Sequence, residues 1–363
     1  MHSFMVADKK GDIKKGTGQK IHNRRAQRSV RFEKKELVMK MKIFLVILFF
    51  VLSIDISARV VPLPEVIRPH DISVDNNQLY ICEHEEISIY SLKDFKLIKK
   101  FGKKGEGPQE FKSAVHVNCQ SDHLIVESIG KLSFYSKTGE FRDEIKNSSL
   151  FIRSFVPVGN QFVALEYNFR DKLKVIICNS KLNKIKEIFT EEQARKRGSV
   201  FNAAFRFRKY NDKVYIASGK NFVICVLDIT GKELFSITKD YKLLTFTQEH
   251  ANQFLEAYRN SPITKEFYEG FKKIVEFPDY FPAINDFFVA DGKVYAQTHN
   301  EIDKKSEFFI FDEDGKFLKT VFLPVTDKDF MTPSTFDIGN GKLYNLFENE
   351  DTEEWELHVT EIN

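Results

Sequence analysis

Six polar or charged side chains recur at one fixed offset in this sequence: Asp71, His116, Ser154, Arg206, Asp286 and Thr335. Each lies eight residues ahead of an aliphatic-aromatic strand start, and each is followed by an apolar residue: Ile72, Val117, Phe155, Phe207, Phe287 and Phe336. In a strand, such alternation puts one side chain in a packed layer and its neighbour in a different environment. If the six polar positions converge, Asp71, His116 and Asp286 have the chemistry to hold a divalent cation or to act as acid and base, and Arg206 could orient an anion. The structural alternative is that they cap strand entries and bond to water or backbone, as buried polar groups must. Both readings stand at this level. A second candidate surface is the segment from about 248 to 282, where Tyr258, Arg259, Tyr268 and Tyr280 could contact a partner or form a lid, the alternative being that the segment's aromatics simply pack its helices onto the fourth and fifth repeats. Phe254, Leu255, Tyr258, Phe267, Phe271 and Ile274 follow helical spacing there, broken at Ser261-Pro262, which predicts two short helices.

The elements that must position these groups are read from the strand starts themselves. Leu79-Tyr80-Ile81, Leu124-Ile125-Val126, Phe162-Val163-Ala164, Val214-Tyr215-Ile216, Val294-Tyr295-Ala296 and Leu343-Tyr344-Asn345 each follow a turn such as Gly159-Asn160 or Asp291-Gly292. A second turn comes downstream, as at Thr138-Gly139, Thr230-Gly231-Lys232 and Asp314-Gly315-Lys316, so each unit reads as four strands. Starts at 79, 124, 162, 214, 294 and 343 are 45, 38, 52, 80 and 49 residues apart, the period of four-stranded propeller blades with one large insertion between the fourth and fifth. The predicted fold is an all-β six-bladed propeller, whose radial closure protects its sheet edges. The sixth unit ends after its third strand, Trp355–Val359, so the segment Val60-Val61-Pro62-Leu63-Pro64 is predicted to supply the missing outermost strand. Proline is tolerated at such an edge.

The whole chain has 55 Lys/Arg and 52 Asp/Glu, a net charge of +3. The basic residues crowd the start: residues 1–58 hold 13 Lys/Arg against 5 Asp/Glu, which leaves 42 against 47 from residue 59 onward, or −5. Residues 1–38 read as a disordered basic extension or as sequence upstream of a true start at Met39 or Met41. Residues 39–58, with Lys40, Lys42 and an apolar run from Ile43 to Ile54, read as a secretory signal, with a retained membrane anchor as the alternative. Residues 59–363 are the propeller domain. Its acidic balance argues against nucleic acid as a partner, and contact with a membrane is expected only through an uncleaved N-terminal segment. The expected location is periplasmic or extracellular. Cys82, Cys119, Cys178 and Cys225 fall in strands of four different units without motif-like spacing, so free thiols are expected. The sequence has no Gly-x-Ser-x-Gly, His-Glu-x-x-His or Cys-x-x-Cys signature.

The stretch Phe101-Gly102-Lys103-Lys104-Gly105-Glu106-Gly107-Pro108-Gln109-Glu110-Phe111 resembles the Gly-x-Gly-Pro-Gly-Glu-Phe turn of NHL-like and TolB-like six-bladed propellers, departing from it at Gln109. Phe277-Pro278-Asp279-Tyr280-Phe281-Pro282-Ala283 is similar to a segment of exported bacterial propellers of uncharacterised role. The resemblance covers about residues 60 to 363 and implies the fold without implying an activity, because propellers host many functions. The expected function is a non-catalytic ligand- or protein-binding module that uses the channel-mouth face. By analogy with gluconolactonase-like and amidating-lyase propellers, a metal-dependent hydrolase or lyase is the alternative. A structural role in an envelope complex is a third.

Overall fold

The second strand of each unit is buried along most of its length, as in Leu79–Cys82 and Val214–Ala217, because both of its faces are covered. The outermost strands, such as Lys184–Thr190 and Glu233–Thr238, are mostly exposed. Burial therefore falls outward along each sheet, as it does in blades packed face to face around an axis. The computed structural model describes residues 59–362 except 76, 113–114, 148–151, 167–172, 191–199, 201–204, 218–220 and 326. The extension and the secretory segment predicted over 1–58 lie outside the described residues.

Six four-stranded antiparallel sheets form the ring. Their innermost strands are Pro69–Val74, His116–Cys119, Ile152–Val158, Arg206–Tyr210, Asp286–Ala290 and Thr335–Gly339. The hydrophobic core is divided into six layers, one between each pair of adjacent blades. Phe111 and Val126 pack against Tyr80 and Ile89 between blades one and two, and Phe222 and Ile237 meet Phe287 and Phe309 between blades four and five. Closure follows the predicted route. Arg59–Pro62 pairs antiparallel with Trp355–Glu361, from Arg59 opposite Val359 to Pro62 opposite Glu356. Leu63, 1% exposed, then enters the layer between blades six and one beside Ile72, Leu79 and Leu357.

The 101–111 segment is the connection from the outermost strand of blade one to blade two. Gly102 takes φ 94, and a Cβ there would lie 2.6 Å from the Glu85 carbonyl oxygen and 2.7 Å from the Phe111 ring. Gln109 also sits in the left-handed region, at φ 64, where a glycine would be unstrained. All four cysteines are free thiols, and burial raises the pKa of each.

Between blades four and five the chain forms helix α1 (Gln248–Asn260), a 3-10 turn (Lys265–Phe267) and one helical turn, α2 (Tyr268–Phe271). Thr247 caps α1, accepting from the His250 backbone N–H while the His250 ring accepts from the Thr247 N–H, a capping box with histidine in the reciprocal position. Ala251, Phe254 and Ala257 are buried along α1, and Ala251 joins Phe246, Phe281 and Phe330 in a small satellite core. Among the described residues no helix is long and apolar enough to cross a membrane.

Candidate functional site

The innermost strands surround a cavity of about 1320 Å³, and all six polar residues singled out by their offset line it. Five of them share one register position, opposite the third residue after their strand start: Asp71 faces Cys82, His116 faces Glu127, Arg206 faces Ala217, Asp286 faces Gln297 and Thr335 faces Leu346. Blade three differs. A bulge between Arg153 and Val156 puts Arg153 opposite Leu165, and Ser154 takes φ 56 inside the bulge. Glu127 of the neighbouring blade pins the bulge, accepting from the Ser154 N–H at 2.9 Å and the Phe155 N–H at 3.1 Å.

Asp71 and His116 are in contact. His116 Nδ1 lies 2.8 Å from Asp71 Oδ2, and the other Asp71 oxygen accepts from the Ile72 N–H at 2.9 Å. The hydrogen bond to Asp71 raises the His116 pKa, outweighing the opposing effect of burial. His70 stands beside this pair, its ring centroid 5.5 Å from that of His116, and donates from Nε2 to the Val115 carbonyl at 2.7 Å. Burial lowers the His70 pKa, and its Nδ1 is buried without a hydrogen-bond partner among the described residues.

Asp286 belongs to a different cluster. Its Oδ1 lies 3.0 Å from Arg208 Nη2 and 3.6 Å from Arg206 Nε, and also accepts from the Phe287 N–H at 2.7 Å. The guanidiniums are steadied by hydrogen bonds to the Phe205 and Phe207 carbonyls, both at 3.0 Å, and Arg208 lies over the Phe287 and Phe288 rings. The trio proposed as cation ligands is thus not brought together: Asp71 pairs with His116, and the two arginines draw Asp286 to blade four. Among the described residues no three His, Cys, Asp or Glu side chains are grouped so as to hold a metal ion.

Besides His70, three participants lie beyond the six. Arg208 and Asp337 sit two residues further along their strands, in a second tier with Ser73, Asn118, Val156 and Phe288 that the same alternation would have exposed. Asp337 Oδ2 accepts from the Val74 N–H of blade one and Oδ1 from the Ile338 N–H, both at 2.8 Å. Burial raises its pKa to about 7 against the lowering effect of these two donors. Glu127 directly follows the apolar run from Leu124 to Val126, and nothing in the neighbouring sequence marks its contact with blade three. The cavity is therefore polarised, with Arg206 and Arg208 on blade four and Asp337, Asp71 and Glu127 on blades six, one and two.

The insertion residues lie outside the cavity lining. Tyr258 stacks on Phe271 at 4.2 Å, Arg259 approaches Glu256 at 4.0 Å, the Lys272 ammonium lies 5.7 Å from the Tyr268 ring centroid, and Tyr280 is half exposed. Phe267 and Ile274, expected on a packed helical face, are exposed because the chain passes into a 3-10 turn and the second helix ends after four residues.

No known protein family matches the chain, and no curated protein matches it. Solved structures do share the fold. A candidate exported protein from Bacteroides fragilis is 11% identical with a TM-score of 0.54, over 84% of this chain and 95% of its own. A member of the DUF4221 family from Bacteroides vulgatus is 14% identical with a TM-score of 0.52, over 84% of this chain and 96% of its own. Likeness at these identities shows the architecture alone.

Proposed function

We propose that this chain is an exported six-bladed propeller that binds a small ligand, without turning it over, at the mouth of its central channel. The observation that carries this reading is the cavity of about 1320 Å³ whose wall presents fixed, oppositely charged side chains. Ordinary ligand pockets span roughly 300–1,000 Å³ and place a few oriented polar groups on a largely preformed wall. Export is supported by the apolar run from Ile43 to Ile54 and by the description of the Bacteroides fragilis neighbour. The Phe101–Phe111 turn supports placing the chain with NHL-like and TolB-like propellers. A domain charge of −5 from residue 59 onward favours a small molecule or protein over nucleic acid.

The test is a thermal-shift screen of small metabolites against the wild type and Asn118→Trp, which fills the cavity from the second tier. A ligand that binds the native state raises the unfolding midpoint. Compounds that stabilise the wild type but not the filled variant support the reading; equal stabilisation of both proteins refutes it.

The Asp71–His116 contact favours a second reading, in which His116 serves as the general base of a hydrolase and Asp71 orients it. Turnover of lactone or ester substrates that disappears in His116→Gln would support this role, and turnover retained in that variant would exclude it.

A further inference from the structure

We propose that the ligand is a polyhydroxy carboxylic acid of the hexuronate type, with its carboxylate on Arg206 and Arg208 and its hydroxyls toward Asp71, Asp337 and Glu127. This rests on the channel-binding reading above and specifies its chemistry.

The two sides of the cavity differ in which hydrogen-bonding groups remain available. On the acidic side every carboxylate oxygen already has a donor. Asp71 accepts from Ile72 and His116, Asp337 from Val74 and Ile338, and Glu127 from Ser154 and Phe155. Such carboxylates keep lone pairs for hydroxyl donors but present little unpaired negative charge to an ammonium group. On the basic side two guanidiniums share one oxygen of a single carboxylate, Asp286 Oδ1. Arg208 also acts electrostatically on the buried Asp337 carboxyl, and each guanidinium has five N–H donors, more than the contacts among the described residues use. The domain as a whole is acidic from residue 59 onward, so two adjacent arginines on one wall of the channel run against the overall charge.

The geometry is also preorganised. Bonds to the Phe205 and Phe207 carbonyls fix both guanidiniums, and the Phe287 and Phe288 rings support Arg208. Arginine held in this way recognises a planar carboxylate through parallel N–H bonds. The cavity, at about 1320 Å³, exceeds an ordinary pocket and has room for more than one sugar ring.

The experiment is calorimetric titration of the full-length protein with glucuronate, with glucose as the neutral probe and glucosamine as the cationic one. It is repeated on Arg206→Gln and Arg208→Lys, with the unfolding midpoint of each recorded as a check on folding. Arg208→Lys keeps the charge while losing the planar fork, so it remains informative if a neutral substitution destabilises the ring. Glucuronate is expected to bind, and to weaken roughly 10- to 100-fold in the variants, the loss of one or two charge-assisted hydrogen bonds. Glucuronate binding unchanged in both variants would overturn the assignment. Glucose or glucosamine binding in preference to glucuronate would overturn the ligand class while leaving the channel-binding reading intact. Failure of all three probes would overturn the class as well, and the Asn118→Trp screen then decides the channel reading on its own.

Discussion

Replacing Asp337 with asparagine should remove a specific pH dependence from the stability of the ring. The Asp337 carboxyl lies between blades six and one, and burial raises its pKa from 3.8 to about 7. In the unfolded chain the group loses its proton near its ordinary value, while the native state retains it until about neutrality. Between those values the native state binds more protons than the unfolded one, so this group's contribution to stability falls as pH rises. It is fully present below the ordinary carboxyl range and lost by the time pH passes about 7. Three units correspond to roughly 4 kcal/mol, and water in the channel screens that to about 2–3 kcal/mol. Asparagine cannot accept from both Val74 and Ile338 without turning its NH₂ toward one of them, which adds a cost of about 1–3 kcal/mol that does not vary with pH. The assay is urea unfolding of wild type and Asp337→Asn across the acid-to-neutral range. The expected result is a gap that narrows as pH rises, because only the wild type loses stability through this group. Parallel stability curves would show that Asp337 does not titrate in this range, since a constant offset is all that a non-titrating contact can give.

Leu63→Ala should lower stability by about 2–5 kcal/mol in chemical unfolding, the cost of truncating a fully buried leucine; a loss below about 1 kcal/mol would show that the N-terminal strand does not close the ring. Gly102→Ala should cost more than about 2 kcal/mol, because its Cβ meets the Glu85 carbonyl and the Phe111 ring. Gly130→Ala, at φ 87 with nothing within 4 Å, should cost only the backbone strain of about 1–2 kcal/mol, so equal losses at the two sites would contradict the packing described here. Asp71→Asn should move the His116 titration midpoint down, followed by imidazole NMR, since the hydrogen bond to Asp71 is the main cause of its elevation. The pair's contribution to stability is present below the unfolded histidine pKa and is lost as pH rises through the folded one, and an unmoved midpoint would show that the contact does not form in solution.

The ring was legible because its grammar is local. Turn residues, strand starts and the Pro-bearing Val60–Pro64 segment each carry their assignment in a few neighbouring residues, and closure followed from counting strands in the last unit. The offset that aligned Asp71, His116, Arg206, Asp286 and Thr335 also holds in the structure, because five blades keep one hairpin register. Ser154 slipped because its bulge depends on Glu127, 27 residues away, and no local pattern marks that contact. The attachment of Asp286 to Arg208 spans 78 residues and was equally out of reach, which is why a cation trio could be drawn from residue types alone. In the insertion, helical spacing located the first helix but ran on past the point where the chain shortens into a 3-10 turn.

The carboxylates of the channel have a structural task that bears on how its function should be probed. Innermost strands of neighbouring blades belong to different sheets, so backbone ladders do not tie them together. Asp71, Asp286 and Asp337 each accept the N–H of the following residue, which fixes the carboxylate beside its own strand. Each then reaches a neighbouring blade: Asp71 binds His116, Asp286 binds Arg208 and Asp337 binds the Val74 N–H. Removing one of these acids leaves its partner's donor unsatisfied and loosens two blades at once, whatever the ligand. A loss of binding in Asp71→Ala or Asp286→Ala would therefore not separate recognition from architecture. The arginines differ, because each keeps donors beyond its structural bonds. Arg208→Lys retains the charge and should weaken an anionic ligand, while its unfolding midpoint reports separately the cost to the contact with Asp286.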